Sequence, residues 1–163
     1  MPSDALSQRR ISEQWRWWES ISIVVTDLAT GQFTEQRIYS NTIVNTGLNL
    51  MRDALGGYLT DAAIHYVAIG TSATAVAATD TQLGAEVFRK VLTSQSQIAQ
   101  SQLQTIMYLG PSDSVGTVIA EIGWFAGATA TATANSGILV SHVLYSHTHT
   151  GSESIQFTRT DTL

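Results

Sequence analysis

Three observations predict an all-β fold for this 163-residue chain, an antiparallel β-sandwich or jelly roll carrying one short helix. About eight short runs read as strands, the first of them, 21–26, with the period of two that a half-buried strand requires. Turn-forming Gly, Asp, Asn and Ser separate these runs at the spacing of sandwich strands. A single stretch, residues 46–55, switches to helical spacing.

The elements follow in order. Residues 1–19 read as an N-terminal arm, polar, with Arg9, Arg10 and Arg16, and with Trp15, Trp17 and Trp18 almost side by side. Such tryptophans either cover the edge of the chain's own core or, with Arg16, anchor the arm in a neighbouring subunit, where Trp and Arg are favoured. Residues 20–163 form one domain, long enough to bury a core without staples. Ile21, Ile23 and Val25 alternate with Ser22, Val24 and Thr26 as a first strand, 27–31 is a hairpin connection, and 32–40 returns. Within 46–55, Leu48, Met51 and Leu55 fall on one stripe; Asn45 is placed to cap this helix and Gly56-Gly57 to stop it.

A short apolar strand over 64–69 ends at Gly70-Thr71, and a low-complexity loop leads to Asp80, which can cap a single turn over 81–84. Strands over 86–93 and 102–109 are separated by a Gln/Ser-rich bend, and 111–116 is a turn. In the next strand Val118, Ala120, Ile122 and Trp124 share one face, opposite Ile119, Glu121, Gly123 and Phe125. AGATATATANSG reads as a flexible loop tip, too small and polar to pack, before final strands over 138–145 and 154–159.

Composition narrows the function classes. Charged residues make up 13% of the chain, about half the usual ~25%, and Thr, Ser, Gln and Ala take their place. Such a surface suits packing against copies of itself or neighbouring chains. A net charge of -5 and scattered Lys and Arg argue against nucleic acid. Without cysteine, neither disulfides nor thiolate metal sites are available. No apolar run approaches the ~18 residues of a membrane span, and MPSDALSQRR lacks a signal-peptide layout, so the expectation is a soluble protein made in the cytoplasm.

Taken in order, NTGLNLMRDALGG, IGT, AATDTQLGAEVFRK and EIGWF resemble a small β domain of tailed-bacteriophage virion proteins. The matching positions are Asn45, Gly47, Arg52, Asp53, Leu55 and Gly57. Gly70, Thr71, Ala78, Asp80, Thr81, Leu83, Gly84, Glu86, Arg89 and Lys90 follow, then Glu121, Gly123 and Phe125. The resemblance covers roughly residues 40–160 and departs in the Trp-rich arm, Trp124 and His147-Thr-His149. It implies a part of the virion made in the bacterial host cytoplasm, with partners among the major capsid or tail proteins.

Few residues here suit chemistry. Glu86, Arg89 and Glu121 are charges set within apolar strands. Two such carboxylates can act as an acid–base pair in sugar cleavage, but a buried charge needs a partner, so Arg89 or Arg52 is expected to pair with Glu121 across the sheet. His147 and His149 lie two apart with His142 nearby. Three copies on a three-fold axis would supply six nitrogens for an octahedral ion, whereas the plainer reading is polar residues before the last strand. His65 reads as an ordinary strand residue. No serine sits in a Gly-x-Ser-x-Gly elbow, and Gly56-Gly57 ends a helix where a phosphate cradle would open one. The chain reads as a non-enzymatic virion component without a cofactor, acting as a homo-oligomer with a trimer as one candidate. Lacking heptads or the length of a fibre rod, it suits an accessory capsid decoration protein. A tail fibre, baseplate or tail adaptor protein is the alternative. A carbohydrate-binding adhesin is the further one, since Trp15, Trp17, Trp18 and Trp124 could stack on sugars.

Overall fold

Ten strands and one helix make up a computed structural model that describes residues 17–40 and 42–163. The order is β1 (Trp18–Asp27), β2 (Phe33–Ser40), β3 (Thr42–Ile43), α1 (Asn45–Leu55), β4 (Ile64–Gly70), β5 (Glu86–Val91), β6 (Ser94–Ala99), β7 (Gln102–Leu109), β8 (Val118–Ala126), β9 (Ile138–Thr148) and β10 (Glu153–Thr162). They form two five-stranded antiparallel sheets packed face to face, the expected all-β sandwich. Sheet A runs β2-β1-β10-β7-β6 and sheet B runs β3-β9-β8-β4-β5.

The main core lies between the sheets. Ile21, Ile23 and Val25 on β1 face it, as their alternation predicts, with Met107, Leu109, Ile155 and Phe157 from the same sheet. Sheet B contributes Val67, Ile69, Ile122, Trp124 and Val143. A second, smaller core lies on the far side of sheet B, where Ala68, Phe125 and Leu139 are covered by Val44 and Leu83. Strand β8 is therefore buried on both faces over residues 121–126.

Several expectations are corrected. The first strand begins at Trp18, inside the expected arm, because Glu19 turns inward and meets Arg159 of β10 at 3.2 Å. The Gln/Ser-rich bend is strand β6, paired with β7 from Ser94↔Ile106 onward. Alternation of Ser and Gln leaves no apolar face to read, yet the backbone can still join a ladder. The turn expected over 81–84 is irregular, because Leu83 drops into the second core.

The helix is where the spacing places it, but its buried stripe is rotated. Gly47 and Leu50 face inward, while Leu48 is half exposed and Leu55 is 83% exposed. The cause is Gly47: a Cβ there would overlap the backbone of Val140, so the helix rides directly on β9, and a residue without a side chain carries no hydrophobic signal. Asn45 does not cap; Val44 stands at the N-cap, and the Asn45 N–H instead donates to Ala78 O at 2.7 Å. The C-terminus ends as expected. Gly57 has φ of 71°, and N–H groups of Gly57 and Tyr58 donate to Ala54 O and Asp53 O at 3.1 and 2.9 Å, a Schellman motif.

Candidate functional site

The outer side of sheet B is closed by its own chain, and Glu121 holds the closure. Its carboxylate accepts the Gly84 N–H at 2.9 Å and the Ala85 N–H at 2.7 Å. The Ser72 N–H lies at 3.4 Å. These bonds tie the segment 71–85 down over β8 and seat Leu83. Gly70 permits the approach, since a Cβ there would land on the Glu121 carboxylate. The expected partner of Glu121 was Arg89 or Arg52, and neither reaches it. Backbone amides do, because they are short, rigid and already in place when the segment crosses the strand.

His142 completes the clamp. Its Nε2 lies 3.0 Å from Glu121 Oε2 and its Nδ1 2.9 Å from Asp80 Oδ2. A neutral imidazole has one N–H, so the trio holds two protons when both contacts are hydrogen bonds. Burial pushes the Asp80 carboxyl up, but the Ala77 N–H and His142 outweigh it and hold the group below its ordinary value. A cleft of about 280 Å³ opens beside the trio, lined by Ser72, Thr74 and Thr81 among others. Both ring nitrogens of His142 are engaged within the chain, which leaves no lone pair for a substrate or a metal.

Arg89 locks a second loop onto the same face. It pairs with Glu86, Nε to Oε1 at 2.6 Å and Nη2 to Oε2 at 2.8 Å, both side chains almost fully buried. Its Nη1 donates to Thr131 O and Ser136 O at 2.9 and 3.0 Å, and its guanidinium lies 4.5 Å from the Phe125 ring centre. The Asn135 N–H reaches Glu86 Oε2 at 2.8 Å. The AGATATATANSG tract, expected as an unpacked tip, is thus docked on an ion pair. Arg52, the remaining member of the expected set, pairs with Asp53 at the surface at 2.7 Å.

A further charged cluster lies inside the sandwich. Arg159, fully buried, chelates Asp161 and reaches across to the Ser141 hydroxyl at 2.7 Å. Trp17 lies over this group: its indole N–H donates to Asp161 Oδ1 at 2.6 Å and its ring stacks 5.5 Å from the guanidinium. Trp17 therefore belongs to its own domain. Trp18 points outward and is 61% exposed; Trp15 and Arg16 lie outside the described residues. A sequence signal for this cluster existed: Arg159 and Asp161 share the parity of Ile155 and Phe157, and Glu19 that of Ile21.

The histidine pair does not present itself for a shared ion. His147 contacts Glu153 at 2.7 Å and stacks on Tyr145, while His149 is fully buried with Nε2 3.0 Å from Gly110 O. Burial keeps His149 from any axis between copies. Among the described residues no group of three His, Cys, Asp or Glu is placed to hold a metal. His65 lies on β4, bonded to Asp61 at 2.7 Å. Trp124 is fully buried and offers no platform for a sugar.

The outer side of sheet A differs in every respect. Its outward positions are Ser20, Ser22 and Val24 on β1, and Gln156, Thr158 and Thr160 on β10. Across the flanking pairs the rows continue to Gln36 and Ile38 on β2, to Gln104, Ile106 and Tyr108 on β7, and to Ser94 and Ser96 on β6. No charged residue occurs in these rows. Strands ~4.8 Å apart and about eight residues of ~3.3 Å each give a face of roughly 600 Å². No protein-family model, curated protein or solved structure matches the chain.

Proposed function

We propose that this protein is a non-enzymatic structural component of a tailed-bacteriophage particle, an accessory capsid decoration protein that docks on other particle subunits through the outer face of sheet A. The observation that carries the docking part is the absence of charge from that five-stranded face. Docking of roughly 600 Å² on a like area removes about 1,200 Å² from water, the lower end of a standard stable interface. Ser, Thr and Gln supply hydrogen bonds there, and Val24, Ile106, Ile38 and Tyr108 supply apolar contact. The placement in a phage particle rests on the resemblance of the ordered motif. Its Gly70, Leu83, Gly84, Glu86, Arg89, Glu121, Gly123 and Phe125 lie together in the closure of sheet B, the arrangement of residues that build a domain.

The test is reattachment to particles made without the protein. Wild-type chain should bind and stay bound in high salt, since screening weakens mainly charge–charge contacts. A Ser22→Lys/Thr160→Lys variant, with charges placed in the centre of the face, should fold normally and fail to bind. Release of the wild-type protein by moderate salt, or normal binding by the variant, would overturn the docking surface.

A further inference from the structure

Four strand edges end the two sheets, and three carry devices that discourage pairing with another chain. Strand β2 has Glu35 and Arg37 on it, paired at 2.5 Å, and a register shift against β1. Strand β3 is two residues long. Strand β5 has Glu86, Arg89 and Lys90, and β4 shifts register beside it. Strand β6 has none of the charges. All six of its residues, Ser94–Ala99, are exposed, and no charged residue or proline interrupts 91–110. Its register against β7 is regular from Ser94 to Gln97 and shifts before Ala99. Among the described residues nothing pairs with its far side.

We propose that β6 is a self-association edge, and that its occupant is β6 of a second copy of this chain, added antiparallel about a two-fold axis. Such an axis, normal to the sheet, sets residues of like parity opposite one another. Centred on Ser96, it places Ser96 opposite its own copy and Gln95 opposite Gln97. Charges on an edge must be desolvated when another strand is added, and among the described edges longer than two residues β6 is the one that carries none. Antiparallel pairing satisfies the free N–H and C=O groups of both edges, and Gln side chains on either face can bond across the join. The two charge-free outer faces become one continuous face of ten strands. About 20 Å of paired strand buries little area, so the contact is of the weak, reversible class, reinforced where copies are held side by side. It goes beyond the proposed function, because it stands on the edge of the sheet and not on the docking face.

The experiment is sedimentation velocity of the full-length chain over a range of micromolar concentrations. Wild type should shift from monomer to dimer as concentration rises. Ser96→Lys and Ser96→Glu, each opposing like charges at the axis, should each weaken association by roughly an order of magnitude or more. An equimolar mixture of the two should recover it. Unchanged thermal melts exclude a folding defect, and Thr160→Lys, on the face instead of the edge, should dimerise as wild type does. A wild type that stays monomeric, variants that dimerise normally, or a mixture that fails to recover would each overturn the proposal. Normal dimers that do not attach to particles would leave it standing and remove the docking face instead.

Discussion

The two outer faces of the sandwich are built from opposite materials. Sheet B's face is apolar, with Ala68, Phe125 and Leu139, and the chain covers it with α1 and two loops. Buried charges hold that cover: Glu121 gathers amides of 71–85, and Glu86 with Arg89 pins 127–137. Among the described residues, sheet A's face has neither cover nor charge. The difference shows where ionic groups are placed in a chain that is only 13% charged. Long segments without secondary structure need fixed, directional partners to be ordered, and buried carboxylates and guanidinium supply them. A face without charges can meet another surface with no ionic group to desolvate.

The largest effect is expected on the covered side. Glu121→Ala leaves the Gly84 and Ala85 N–H groups without their acceptor and His142 without one partner, at a cost of about 3–5 kcal/mol. The freed 71–85 segment should expose Phe125, detectable as binding of a hydrophobic dye. An unchanged melt would mean that the segment is held by packing of Leu83 alone. Next comes the helix that forms part of the same cover. Leu50→Ala should cost about 2–5 kcal/mol as a core truncation, whereas Leu55→Ala should stay within about 0.5 kcal/mol. Equal effects in the two melts would contradict the rotated stripe.

Acid should act selectively as well. Burial pushes the Asp80, Asp113 and Glu153 carboxyls up, but hydrogen bonds outweigh it and hold all three below their ordinary values of 3.8 and 4.5. The partners are Ala77 N–H and His142 for Asp80, Lys90 and Gly110 N–H for Asp113, and His147 and Thr150 N–H for Glu153. The unfolded chain then binds more protons in the acid range, so their stabilisation is present above the ordinary values and is lost as pH falls through the lower, folded ones. Melting temperature should decline below about pH 4, and Glu153→Gln should make the decline shallower. The smallest effect on stability belongs to the open face: Thr160→Lys should change it by under about 0.5 kcal/mol while removing attachment. A large loss of stability from this substitution would mean that the face is packed within the monomer.

How far the sequence could be read depended on whether a residue's partner was near in the chain. Alternation in 21–25 revealed β1 because period and core face coincide, and Gly56-Gly57 marked the helix end because a left-handed residue is a local requirement. Strand β6 escaped because Ser and Gln have no face preference, and the helix phase was misread because Gly47 packs by having no side chain. The polar sites were visible only in part. Glu121, Glu86 and Arg89 were identified as charges needing partners, yet the partners lie 21 to 49 residues away for Glu121 and up to 49 for Glu86. The Arg159 cluster joins the two ends of the domain, Trp17 to Asp161, a separation of 144 residues.

What the sequence by itself determined was the class of fold, most strand positions, the helix and the scarcity of charge, since each follows from local periodicity and composition. Tertiary structure alone decided which carboxylate meets which donor, that Trp17 packs on the core and, among the described residues, that one outer face is closed and the other open and that the β6 edge carries no charge. Those choices depend on which strands become neighbours, and sheet pairing brings together residues whose distance along the chain carries no periodic signal.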